Sequence, residues 1–330
     1  MSELFAGLTN DVVCRVALGR KYSAREEGRK FKQLLREFVE LLGGIDAGDY
    51  FPWLAWLGRV NGSHAKAEKV AKDFDNFLEQ VVEEHMVKQK QSSNNRKDGA
   101  QSEEDFVDVL LQISVDRTSI KALILDVFAA GTDTTAAVLE WAMTELLRHP
   151  EVMKMLQDEA REVGMNKPAI TEDDLNRMHY LKAVIKETLR MHTPIPLLVP
   201  RQSTQDVKLR GFDIAAGTRV FINAWAIGRD PGLWDRADEF WPERFLMSSS
   251  PIDYKGHDFQ LIPFGAGRRI CPGIQFAMST DELALANLVH KFDWSLPGGT
   301  RGEDLDMTES IGLTIHRESP LIVVATPYSA

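Results

Sequence analysis

From about residue 117 to residue 148 the chain runs without a proline, and its apolar positions persist on more than one face of the implied helix. At 1.5 Å per residue such a helix spans roughly 48 Å, the thickness of a whole domain. A helix that is apolar on several faces needs neighbours on several sides, so it must cross a core. The rest of the chain then has to wrap around it, which predicts a mainly α fold with small β-sheets. With 330 residues, 44% of them hydrophobic, the chain has enough apolar material for a core larger than that of one ordinary domain.

The flanking segments read as follows. Leu4, Leu8, Val12 and Val16 stand at helical spacing and predict a helix over 3–19. A second amphipathic helix covers 24–42 and ends at Gly43-Gly44. The stretch 43–63 gathers Phe51, Trp53, Leu54, Trp56 and Leu57, either as buried packing or as a loop that touches a membrane or gates a substrate. A helix over 64–90 carries Val70, Phe74, Phe77, Leu78 and Val81 on one side, and the polar residues 91–104 after it read as a flexible internal linker. Pro150 ends the long helix and starts another over 151–163; a further helix covers 172–192 and stops before Pro194 and Pro196. Residues 207–222 alternate like a hairpin with its turn at Gly217-Thr218. Residues 230–270 are mostly irregular, a helix runs from Pro272 to about His290, and 311–326 read as strands.

Charge and cysteine content exclude several function classes. The balance of 39 basic and 49 acidic residues, net −10, excludes a primary nucleic-acid partner, since phosphate binding needs clustered Lys and Arg. Two cysteines, Cys14 and Cys271, cannot build a disulfide framework or a cysteine-based zinc site, and point to reduced thiols in an intracellular setting. Ser2, Glu3 and Asn10 interrupt any signal-peptide run after Met1. No stretch reaches the ~18 continuous apolar residues of a membrane span, so the chain itself reads as soluble.

The segment richest in chemistry is the ten residues from Phe264 to Gly273, FGAGRRICPG. A cysteine sits there in a glycine-rich loop, just before a helix expected to start at Pro272. Gly265, Gly267 and Gly273 let the backbone approach a flat ligand closely. The helix N-terminus and its amides stabilise negative charge on the Cys271 sulfur. Arg269 can pair with an acidic group of a cofactor. A buried cysteine beside a tight turn would need only part of this pattern.

This segment resembles the haem-binding signature of cytochromes P450, Phe-x-x-Gly-x-Arg-x-Cys-x-Gly, matched at Phe264, Gly267, Arg269, Cys271 and Gly273. Three further motifs agree in order and spacing: Glu187-Thr-Leu-Arg190, Pro242-Glu-Arg-Phe245 and Ala130-Gly-Thr-Asp-Thr-Thr135. The wording elsewhere, such as Leu8-Thr-Asn-Asp-Val12 and Asp304-Leu-Asp-Met-Thr-Glu309, is similar to plant A-type members of specialised metabolism. The resemblance implies a cytochrome P450-like fold holding haem b, iron protoporphyrin IX, with Cys271 as metal ligand. Phe264, Gly265, Gly267, Arg269, Pro272 and Gly273 would shape the cofactor site, Gly131 would leave room over the haem, and Arg201 matches a family position that binds a propionate. Gln202 after it is a mild departure, where relatives carry an acid or a small polar residue.

Glu187 and Arg190, three apart on a helix, share a face, and Arg244 can complete the buried pair as a structural triad. Asp133 and Thr134, an acid and a hydroxyl inside an otherwise apolar helix, are the catalytic candidates, which the resemblance casts as a proton relay to dioxygen. Ala130, Thr135, Ile195, Leu197, Leu198, Val199, Ile311 and Leu313 are the candidate substrate wall. They are mostly small or aliphatic, and imply a small apolar substrate unless they are plain core.

The implied reaction is mono-oxygenation, with O2 as co-substrate and electrons from NADPH through NADPH-cytochrome P450 reductase. No Gly-x-Gly-x-x-Gly for binding the dinucleotide stands in this chain. Family members begin with a membrane anchor, a proline-rich hinge and a Trp-x-x-x-Arg helix, none of which precedes Met1. The expectation is therefore an N-terminally truncated single domain, the C-terminal two-thirds of a protein held on the cytosolic face of the endoplasmic reticulum membrane by the missing anchor. Two rivals stay open: a haem-thiolate enzyme of the dehydratase type, which inserts no oxygen, and a truncated fragment without function. Asp133-Thr134 weighs against the first, because dehydration needs no proton delivery to dioxygen.

Overall fold

The computed structural model describes residues 1–21, 26–44, 48, 51–54, 56–94, 104–113, 115–247 and 252–329. Its contacts divide the chain into two compact units, one of Glu3–Asp133 and one of Thr134–Ala330 with Met1–Ser2.

The N-terminal unit is helical: α1 (Ser2–Leu18), α2 (Glu26–Gly43), α3 (Leu57–Val60), α4 (Ser63–Asn94), α5 (Phe106–Gln112) and the first half of α6 (Arg117–Arg148). The helix expected over 3–19 forms, yet the stripe that announced it is not the one it buries. Leu4 and Val16 are more than half exposed, whereas Phe5, Thr9, Val13 and Ala17, one residue later at the same spacing, face inward. Periodicity reveals a helix but not its rotation against its neighbours. Val70, Phe74, Leu78 and Val81 of α4 are buried as expected. The centre of this unit is aromatic: the Phe31 ring of α2 stacks on Phe77 at 4.6 Å and meets the edge of Phe128 of α6 at 4.8 Å. The polar margin of α4 and α6 is a charge ladder, with Arg117 at 2.6 Å from Glu79 and 2.7 Å from Glu83, and Lys121 paired to Asp75 and Glu79.

Two expectations in this unit need correction. Phe51, Trp53 and Trp56 are exposed, so the aromatic loop is not buried packing; its described parts form a 3-10 turn over Pro52–Leu54 and then α3. The linker expected over 91–104 does not begin at 91, because residues 91–94 continue α4. Residues 95–103 lie outside the described residues, and Asp105 beyond them caps α5 through a capping box with Asp108.

The C-terminal unit is built on the second half of α6, in which every residue from 135 to 147 is buried. This is the core-crossing helix that the composition required. Although α6 is long and apolar enough to cross a membrane, this half lies inside protein. Around it come α7 (Pro150–Val163), α8 (Glu172–Leu175), α9 (His179–Met191), α10 (Ala224–Gly228) and α11 (Ile274–Lys291). The helix expected over 172–192 is two helices. Arg177 and Met178 close α8 with tight turn bonds to Asp174 O and Leu175 O. The α9 amides of Tyr180 and Leu181 then donate to the Glu159 carboxylate of α7, at 2.7 and 2.9 Å. The cap comes from another helix, out of reach of local sequence reading.

The sheets are two-stranded and antiparallel. β1 (Arg201–Gln202) pairs with β4 (Arg219–Val220), and β2 (Val207–Leu209) with β3 (Phe212–Ile214). The hairpin turn is therefore Arg210-Gly211, not Gly217-Thr218. Both residues have positive φ, 49° and 90°, as a tight primed turn demands. At the C-terminus only β6 (Val324–Pro327) is a strand, paired with β5 (Phe292–Ser295). The expected strands over 311–323 reduce to one bridge, Glu309 to Arg317, because Ser310 and His316 close a loop by bonding to each other.

Candidate functional site

The glycine-rich segment folds into a closed loop. Gly265 N donates to Ile262 O at 2.9 Å, Ile270 N to Gly267 O at 3.1 Å, and Cys271 N to Phe264 O at 3.0 Å. Gly265 and Gly267 have φ of 74° and 76°, which side chains rarely adopt. A Cβ on Gly267 would meet no atom within 4 Å, so the backbone there is bare on one side. Cys271 is part-buried and stands at the end of the loop. The helix after it starts later than expected: Gly273 is its N-cap and Ile274 its first residue, so exposed Pro272 lies in the preceding turn and not at the first helical position. A sulfur donor at a loop of bare glycine backbone, ahead of an 18-residue helix, fits a flat iron macrocycle bound through sulfur.

Several residues support this loop. The Phe264 ring packs edge-on to Tyr254, at 5.7 Å between centroids. Arg201 donates to Arg269 O at 3.0 Å and so ties β1 to the loop; the Arg269 side chain is exposed. Gly256, which sequence reasoning missed, has φ of 80°, and a Cβ there would come within 3.2 Å of Gly265 O. Its need for no side chain comes from a chain segment nine residues on, and no local pattern marks it.

The candidate substrate residues differ widely in burial. Leu198 is buried with Ala224 and Ile262, against the loop, while Leu197 and Val199 beside it are exposed and Ile195 is part-buried. Ile311 is wholly exposed and Leu313 part-buried. On α6, Ala130 is exposed, Gly131, Asp133 and Thr134 are part-buried, and Thr135 is buried. Thr135 shares its helix face with Leu139 and Ala142, all three inside the protein.

The triad is an assembled unit. Glu187 and Arg190 of α9 are fully buried, and all five guanidinium hydrogens of Arg190 find acceptors. They go to Glu187 Oε2 and Oε1 at 2.8 Å each, Gly228 O at 2.5 Å, Ala237 O at 2.7 Å and Glu239 O at 3.1 Å. Arg244 Nε donates to Glu187 Oε1 at 3.1 Å, and its remaining nitrogens bond to the carbonyls of Asp235, Arg236 and Glu239. The triad thus holds five carbonyls from the irregular 228–239 stretch that precedes the loop. Burial draws the Arg244 pKa down, partly offset by the Glu187 charge. Gly228 is forced: a Cβ there would lie 2.5 Å from Arg190 O.

Two further clusters escaped the sequence. In the C-terminal unit His192 stacks on Trp141 at 4.2 Å and bonds to Glu145 at 2.7 Å. Burial pushes the Glu145 carboxyl up, but hydrogen bonds from His149 and His192 outweigh it and hold the pKa at about 2. In the N-terminal unit His85 bridges Val81 O at 2.7 Å and Asp105 at 2.9 Å. Asp108 completes the cluster; since His85 and Asp105 already bond within the protein, it serves as a clasp on α5.

The family model for cytochrome P450 matches residues 1–323. Cytochrome P450 736A117 of Prunus mume is 59% identical over 99% of this chain and 64% of its own length. Cytochrome P450 71A8 of Mentha piperita is 57% identical, again over 99% of this chain and 64% of its own length. A solved zebrafish cytochrome P450 with progesterone is similar with a TM-score of 0.80 at 25% identity, covering 99% of this chain and 71% of that one. The chain spans about 64% of the length of the first two relatives.

Proposed function

Because the chain belongs to the cytochrome P450 family, we propose that it is the haem-thiolate part of a mono-oxygenase acting on a small apolar metabolite. The closed loop that ends on Cys271 carries this reading. Cys271 would hold the iron of haem b, with Gly265 and Gly267 against the ring and Arg201 and Arg269 toward its propionates. The haem, when bound, supplies activation of dioxygen, one atom of which enters the substrate while the other leaves as water. Asp133 would take up and release the protons this requires, and the Thr134 hydroxyl would pass them on. Gly131 leaves space beside them. Glu187, Arg190 and Arg244 do no chemistry; they hold the segment leading into the loop.

Electrons would come from NADPH through a flavoprotein reductase, and the whole protein would work at the cytosolic face of the endoplasmic reticulum membrane. Support for both is the likeness to plant relatives; the exposed Trp53 and Trp56 add to the membrane reading alone.

The direct test is the carbon monoxide difference spectrum of the reduced, haem-loaded protein. Cys271→Ala is expected to abolish the thiolate-type band and Cys14→Ala to leave it, since Cys14 is buried in α1. A thiolate band that survives in Cys271→Ala overturns the assignment.

A further inference from the structure

Thr9 of α1 buries its hydroxyl against the long helix. Its Oγ1 lies 2.8 Å from the carbonyl oxygen of Thr132 and 3.0 Å from that of Phe5, one turn back in its own helix. A hydroxyl has one proton to donate, so the two carbonyls share it. Thr132 O belongs to the ladder of α6, where the amide four residues on is its ordinary partner. A side chain that enters a ladder from a neighbouring helix is one of the few identifiable causes of a local opening or bend. Thr132 is also the residue directly before Asp133 and Thr134.

The surroundings are more polar than packing explains. Asn10, beside Thr9, is 2% exposed, and its Oδ1 finds no protein partner; Thr132 is 6% exposed, and its hydroxyl is unmet in the same way. Each such atom costs about 1–3 kcal/mol when left unpaired, so aliphatic residues would stabilise these positions better. Three buried polar side chains at or beside one helix contact point to a role other than cohesion.

We propose that Thr9 and Asn10 are positioning residues for the proton relay. The Thr9 hydroxyl draws Thr132 O partly out of the α6 ladder, and the loosened turn sets the orientation of Asp133 and Thr134. This rests on the haem-thiolate reading above and on Asp133-Thr134 as its relay.

The test compares Thr9→Val, which removes the hydroxyl, with Thr9→Ser, which keeps it, and with Asn10→Leu, all in haem-loaded protein. Hydrogen exchange of the 132–137 segment is the first readout. With the competing hydroxyl gone, the ladder closes, and exchange in Thr9→Val slows by roughly two- to ten-fold, the net worth of one hydrogen bond. A hydroxyl that merely props the helix predicts the opposite, faster exchange. The second readout is hydrogen peroxide released per NADPH consumed with a plant reductase, expected to rise at least about two-fold in Thr9→Val and Asn10→Leu, since reducing equivalents are diverted when the relay is misplaced. Thr9→Ser should match the unsubstituted protein in both readouts. Faster or unchanged exchange in Thr9→Val overturns the proposal, as does an unchanged peroxide ratio. Should Thr9→Val not hold haem, Asn10→Leu decides by the peroxide ratio. Absence of a thiolate carbon monoxide band in the unsubstituted protein would instead remove the haem-thiolate reading itself.

Discussion

At the scale of single residues, the most informative groups are those whose burial and chemistry conflict. Asp281 of α11 is 1% exposed, and its Oδ1 has no partner. Burial first, and the neighbouring Glu282 charge second, raise its pKa well above the ordinary 3.8. An acid whose folded pKa is raised holds its proton more tightly when folded, so it weakens the fold increasingly as pH rises above its ordinary value. Asp281→Asn is therefore expected to melt higher than the unsubstituted protein at neutral pH, with the difference closing below about pH 4, where both states are protonated. Thermal melts across that range check it, and a difference independent of pH would contradict the burial argument. Glu145 shows the reverse balance. It is equally buried, but two histidines and Arg148 surround it, so its carboxylate is stabilised and the stability it adds is lost only as pH falls from 4.5 toward about 2.

At the scale of elements, the triad explains how a long irregular stretch is kept in place without secondary structure. Arg190 and Arg244 together bind carbonyls of residues 228, 235, 236, 237 and 239, and Glu187 also accepts from Trp241 N at 2.8 Å. Glu187→Ala leaves two guanidinium groups without their anion in a buried setting, at a cost of about 3–5 kcal/mol. That is a large share of a folding free energy of about 5–15 kcal/mol. The expected outcome is a lower denaturant midpoint and fewer haems per chain, not a kinetic change in a stable protein. A Glu187→Ala protein that is as stable as the parent and fully loaded with haem would show that the carbonyl network does not depend on its anion.

At the scale of the whole molecule, the proposed cofactor is the component with the most leverage on stability. A ligand that binds only the folded chain adds about 2.7 kcal/mol when it is present at a hundred times its dissociation constant. Haemin is therefore expected to raise the melting midpoint and to protect the 262–273 loop from hydrogen exchange. Cys271→Ala should lose most of both effects. Equal melting with and without haemin would show that the loop does not bind it.

What the sequence determined was local or strongly periodic. The proline-free stretch from 117 to 148 implied a core-crossing helix, and the segment from Phe264 to Gly273 implied a tight glycine-rich loop ending beside Cys271, because glycine freedom and helix starts act within a few residues. The Glu187–Arg190 pair was visible too, since three-residue spacing on a helix puts both on one face. Everything that depended on distant partners was decided by the tertiary structure. The rotation of α1 follows what packs on Phe5 and Val13, and α9 starts where Glu159 of α7 caps it. Gly256 is required by Gly265 O, and Asp281 becomes unusual only once α7 and α9 cover α11. Periodicity and motif report what a segment can form. Burial and capping depend on which segments meet it, and no local pattern carries that information.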